Sequence, residues 1–180
     1  AITVFSLYFL VCISLTEWIV FRWRHAAKIQ FGILRTFTSQ QNKKTILLNV
    51  PTYFKDVRIN SADEENEFAK QLDYFGYSKI EGKLYSAMGY NMNEKWHGAH
   101  VSAEDSLTVK VTLNQWGSWW MRGYQGAKDY ENDLYKIHIS DMGHEYFLTF
   151  KQVPDGNTIL LFQQDEQWRK VDMNKRGEQW

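Results

Sequence analysis

The chain has 180 residues with 21 basic and 21 acidic side chains, hence no formal net charge, a length that suits one domain and an appendage. The charge is unevenly placed: Arg22 to Lys44 holds six basic residues and no acid, while Thr45 onward holds fifteen basic against twenty acidic residues. A mildly acidic domain argues against general nucleic-acid binding, which needs a basic surface.

The first twenty-one residues, Ala1 to Phe21, carry one charge, Glu17. As a helix they would be about 32 Å long, close to the hydrocarbon thickness of a bilayer. Trp18 and Trp23 stand where interfacial aromatics are expected. The expectation is a transmembrane anchor over residues 1–21. A signal peptide fits less well, because no basic segment precedes the run and Arg-Trp-Arg-His follows it. A buried or partner-contacting helix is the third reading. Cys12, the only cysteine, rules out a disulfide within the chain, and in apolar surroundings its thiol is inert.

Residues 22–44 form a basic juxtamembrane segment and linker. Arg22, Arg24 and Lys28 follow the apolar run directly, and basic flanks tend to remain cytoplasmic. With Ala1 as the start, the following domain is expected on the cytoplasmic side of a single-pass protein. Membrane lipid is therefore the first expected partner, through residues 1–21 and this collar. Trp23 to Phe37 keeps enough apolar residues to continue the helix partly in the interface, although Gly32 weakens it. Thr38–Lys44 reads as the linker.

Residues 45–180 read as a β-rich soluble domain. Thr45–Val50 is a short apolar strand ended by Pro51, and Tyr53–Ile59 reads as its continuation. Ala62–Phe75 is the clearest amphipathic helix. Ser61 and Glu64 make a capping box, Phe68, Leu72 and Phe75 form a stripe, and Gly76 is a C-cap. From Lys79 to Tyr90 the period changes to two. Asn91–Glu104 reads as a loop, Leu107–Leu113 as a half-buried strand, Trp116–Arg122 as a strand and Gly123–Asp133 as a loop. Tyr135–Ser140, His144–Val153, Thr158–Gln164 and Trp168–Met173 read as strands. Turns are expected at Asp141-Met142-Gly143, Pro154–Asn157 and Asp165-Glu166. Short connections imply antiparallel neighbours. The predicted fold is α+β: an N-terminal hydrophobic helix, then a mainly antiparallel β domain (barrel, sandwich or strongly curved sheet) with one amphipathic helix packed on it.

Two constellations could carry function. Trp116, Trp119 and Trp120, with Tyr124, form the densest aromatic cluster, which reads either as core or as the lining of a cavity for a lipid, sugar or peptide. His97 and His100 stand three apart, with His138 and His144 further on and Glu104 or Asp141 as possible third ligands. They are weak candidates for zinc, since no HExxH and no cysteine pair accompanies them. No nucleophile elbow, P-loop or dinucleotide fingerprint is present. Glu104-Asp105 and Asp165-Glu166 are acidic for turn formation rather than for acid–base work. The function expected from these features is non-enzymatic and cofactor-free: a membrane-anchored binding or accessory-subunit domain engaging a protein partner. Alternatives are a carrier or sensor with an aromatic-lined β cavity, and a metal-dependent hydrolase using His97 and His100.

Overall fold

A single helix, α1 (Ile2–Thr38), runs for 37 residues, about 55 Å at 1.5 Å per residue. It is the first element of a computed structural model that describes residues 2–40, 43–59, 73–76, 83–91, 99–113, 119–121, 129–140, 145–164 and 167–174. The helix meets two environments. Its large apolar side chains from Val4 to Phe21 are exposed, with Phe5 at 70%. Further along, Ala26, Ile29, Ile33, Leu34 and Phe37 are buried, the spacing of one helical face. The continuation expected through Trp23–Phe37 is therefore present, but this stripe packs on the β domain instead of lying in an interface. Gly32 does not interrupt it, since the turn hydrogen bonds persist and Thr36 Oγ1 also donates to the Gly32 carbonyl at 2.8 Å.

Three groups of strands follow. β1 (Lys44–Leu47), β4 (Lys83–Ser86), β12 (Thr158–Gln164) and β13 (Gln167–Lys170) form a sheet in the order β13-β12-β1-β4. Here β1 is parallel to both β12 and β4. β2 (Val50–Phe54), β3 (Val57–Arg58), β5 (Met88–Asn91) and β8 (Trp119–Met121) make a second sheet, ordered β3-β2-β5-β8, with β2 and β5 parallel. β6 (Ala99–Ala103), β7 (Thr108–Leu113), β11 (Glu145–Phe150), β10 (Tyr135–Ser140) and β9 (Asp129–Glu131) form a wholly antiparallel sheet in that order.

The class is α+β with mostly antiparallel pairing. The parallel pairs depart from the expectation drawn from short connections. Their cause is visible in the chain: β1 and β4 are separated by residues 48–82, long enough for the crossover that parallel strands require. The helix expected at Ala62–Phe75 falls in that crossover and lies outside the described residues, except for its end. There Gly76 has φ +79, which suits a helix C-cap.

Four local readings are corrected. Part of the loop expected at Asn91–Glu104 is strand β6, in which Ala99, Val101 and Ala103 are buried; small residues of low strand propensity hid it. Part of the loop expected at Gly123–Asp133 is β9, whose sequence Asp-Tyr-Glu is polar because both flanking residues are exposed. Tyr53–Ile59 is not one extended run. β2 and β3 form a hairpin, pairing Phe54 with Val57 across Lys55-Asp56, and Lys55 takes φ 53. Pro51 does not end its strand either; it sits in β2, next to a register irregularity where a missing N–H is tolerated.

Alternation along β1 and β12 divides the core into two layers. Ile46, Leu48, Leu160 and Phe162 face Val101, Val111, Ile137, Tyr146 and Leu148 of the five-stranded sheet in one cluster. Leu47, Ile159 and Leu161 face Ile29, Ile33 and Leu34 of α1 in another. Strands buried on both faces carry near-continuous apolar runs, and Ile159–Phe162 is such a run.

Between β1 and β2 the chain breaks step, and polar groups repair the break. The Asn49 side chain accepts from the Gln163 N–H at 2.6 Å and donates to the Gln163 carbonyl at 2.8 Å. It replaces the backbone pairing that the break removes. Tyr146 Oη donates to the Leu48 carbonyl at 2.5 Å from the opposite sheet. Burial pushes the Tyr146 phenol well above its ordinary pKa, so it remains a donor. Removing a partner leaves buried groups unsatisfied at about 1–3 kcal/mol each. Asn49→Leu should therefore cost about 2–5 kcal/mol and Tyr146→Phe about 1–3 kcal/mol, both read by urea denaturation of the full chain in detergent. Equal stability of Asn49→Leu and the parent chain would contradict the repair.

Candidate functional site

The best-defined junction lies where the exposed half of α1 meets the docked half. The Arg22 guanidinium stacks on the Trp18 ring at 3.3 Å, one helical turn back. It also forms an ion pair with Asp56 at the tip of the β2–β3 hairpin. One turn on, His25 stacks on Phe54 with ring centroids 4.2 Å apart, and Phe21 approaches the same imidazole at 5.8 Å. Further along, Gln30 Nε2 donates to the Ile59 carbonyl at 3.2 Å. The order Asp56, Phe54 and Ile59 against Arg22, His25 and Gln30 fixes the hairpin's direction. Its tip points along α1 toward the exposed apolar half.

The sequence picked out Trp18 and the arginines, but nothing in it paired Arg22 with a residue thirty-four positions away. The usable signal was Lys55-Asp56 between Phe54 and Val57, a short polar turn flanked by apolar residues.

Of the aromatic cluster, Trp116 and Tyr124 lie outside the described residues. The backbones of Trp119 and Trp120 are in β8, opposite Tyr90 and Gly89 of β5. His97 also lies outside the described residues. His100 is exposed on β6 beside Thr112, and its Nδ1 is 3.4 Å from Gln164 Nε2. Among the described residues no group of three or more His, Cys, Asp or Glu side chains converges on a point that could hold a metal ion. His138 is spent on Asp129, with Nδ1 2.6 Å from a carboxylate oxygen. Asp105 accepts from the N–H groups of Leu107 and Thr108 at 2.6 and 2.7 Å, the turn role expected of it.

The outer face of the five-stranded sheet has an open depression of about 500 Å³ lined by Tyr130, Lys136, His138, Phe147 and their neighbours. Its charges are paired across it: Glu131 with Lys136 at 3.6 Å and with Lys151 at 2.7 Å. The Lys151 ammonium holds the Glu131 carboxyl below its ordinary pKa. At the far end of the sheet Lys110 Nζ lies 2.8 Å from Glu145 Oε2, and Ser140 Oγ donates to the same carboxylate at 3.0 Å. These bonds hold Glu145 below the usual glutamate value against partial desolvation. The same pair raises Lys110. Among the described residues the arrangement is a laced, solvated sheet face.

No family model, no curated protein and no solved structure matches the chain. The site is therefore read from its own geometry.

The Lys110–Glu145 pair gives a signed pH prediction. A depressed Glu145 stabilises the fold above its unfolded value of about 4.3 and loses that contribution as pH falls through the lower folded value. A raised Lys110 contributes below about 10.4 and is lost as pH rises through its higher folded value. Glu145→Gln should thus be less stable than the parent chain at neutral pH, with the gap closing in acid and in strong base. A gap independent of pH, followed by denaturant midpoints, would contradict the assignment.

Proposed function

We propose that the chain is a single-pass membrane protein whose β domain acts as a non-enzymatic binding or accessory-subunit module for a protein partner at the membrane face, on the cytoplasmic side. One observation carries this reading: the helix that exposes its apolar half is the same unbroken helix that docks in the β domain's core. α1 is long and apolar enough to cross a membrane. An exposed run from Val4 to Phe21 needs an apolar environment that the rest of the described chain does not provide.

The attachment has a mechanical consequence. A domain on a flexible linker samples many poses. A domain whose core includes the juxtamembrane helix is presented in one pose, close to the bilayer. A fixed pose serves recognition of a neighbour held in the same membrane, because the orientational cost of docking is partly met beforehand. The basic collar supports the cytoplasmic side: Arg24 and Lys28 follow the apolar half and are exposed.

Three readouts on the full chain in native membranes test this. Alkaline carbonate should leave the chain in the membrane pellet. A Cys12→Ser, Asp133→Cys variant should react with an impermeant maleimide from the cytoplasmic side only. Mild detergent should release it in a particle larger than its own mass. Release by carbonate contradicts the anchor, labelling from the outside contradicts the orientation, and a bare monomer contradicts the accessory role.

A further inference from the structure

Beyond the anchor, and resting on that reading, we propose that the tip of the β2–β3 hairpin is a second membrane contact, seating Lys55 on the headgroups of an anionic leaflet. Three contacts in register hold the hairpin along α1: Arg22 with Asp56, His25 with Phe54 at 4.2 Å and Gln30 with Ile59 at 3.2 Å. Among the described residues, the tip is the part of the β domain that these contacts bring nearest the exposed helical half. His25 lies seven residues past Trp18, about 10 Å along the axis. That is comparable to the Debye length of about 8 Å at physiological salt, so a charge at the tip lies within reach of a leaflet whose boundary is set near Trp18.

Among the described residues, the exposed charges at this level are mainly positive. Lys55, Arg24 and Lys28 are exposed, while Arg22 and Asp56 neutralise one another. The only other acid nearby on α1 is Glu17, also exposed. The Lys55 ammonium has one long aromatic contact, 5.8 Å from the Phe54 ring centroid. Its backbone sits at φ 53, a conformation that turns of this kind normally assign to glycine. A lysine at this position therefore projects a cation from the apex where a smaller residue would serve the turn better. Basic residues near an anionic surface are attracted to it, and the helix contacts remove the cost of ordering the loop.

The test uses the full chain in lipid nanodiscs, with single fluorophores on cysteines in a Cys12→Ser background. Tyr53→Cys keeps Lys55 and reports the hairpin, Asp133→Cys reports the remote sheet, and Val11→Cys reports the span. With headgroup-linked nitroxide lipid, quenching at position 53 should be at least about twofold that at position 133, and should increase when phosphatidylserine replaces phosphatidylcholine. Lys55→Glu should abolish that increase. Equal quenching at 53 and 133, or an increase that survives Lys55→Glu, overturns the proposal while leaving the anchor intact. If acyl-chain nitroxide fails to quench position 11, the anchor falls and the proposal with it.

Discussion

The structure depends on one helix that must satisfy two solvents without a break. Over Val4–Phe21 its apolar side chains face outward, and further along Ala26, Ile29, Ile33 and Leu34 pack in a core cluster with the strands. Neither half is optional. Removing the second half would uncover Leu47, Val50, Ile159 and Leu161, which form the outer layer of the β core. The first half has no comparable cover. Because the backbone hydrogen bonds run through Arg22–His25 without a linker, the position of the domain follows from the position of the apolar half. The packing of Ile33 and Leu34 therefore bears directly on how the domain is displayed.

The second constraint is polar. Parallel pairing of β1 with both β12 and β4 puts β1 between two neighbours and two apolar layers. The chain leaves this position at Leu48-Asn49, where unpaired peptide groups would be buried. Asn49 and Tyr146 satisfy them from opposite sides. The amide works because it carries the same donor and acceptor as a peptide group. The phenol reaches across the core because Tyr146 is in the opposite sheet, buried and protonated. Asn49 continues the pairing with β12 within one sheet, while Tyr146 ties the five-stranded sheet to the Leu48 carbonyl.

How much of this was legible in the sequence varied with the physical signal. The alternation in Tyr135–Ser140 and Leu107–Leu113 is legible, since alternate residues such as Tyr135, Ile137, Val109 and Val111 are buried between more accessible neighbours. Thr158–Gln164 coincides with β12, because an apolar run bounded by a Pro-Asp-Gly-Asn turn has few alternatives. β6 is hard to read because Ala-His-Val-Ser-Ala has a single strong strand former, Val101, between two buried alanines. The β2–β3 hairpin was missed because Lys55 occupies a positive-φ site without the glycine that advertises one. Parallel pairing was legible in principle, since a strand, a capped helix and a strand in sequence imply a crossover. The pairing of Asn49 with Gln163, 114 residues apart, was not, because Asn49 falls inside the strand expected over Thr45–Val50 and no local pattern names so distant a partner. At the candidate site the sequence supplied the apolar run, Trp18 and the collar. It did not supply the Arg22–Asp56 contact, which exists only once the hairpin is folded.

The helix beyond Arg22 belongs to the core of the β domain. The most direct test compares Ile33→Ala with Arg35→Ala in the full chain in detergent, following denaturant unfolding through hydrogen exchange of β1 and β12. Ile33 is 1% exposed, and truncating a buried isoleucine costs about 2–5 kcal/mol. Arg35 is exposed, and its substitution should stay within about 0.5 kcal/mol. Ile33→Ala should lower the protection of both strands together while Arg35→Ala should not. Unchanged protection of β1 and β12 in Ile33→Ala would contradict it.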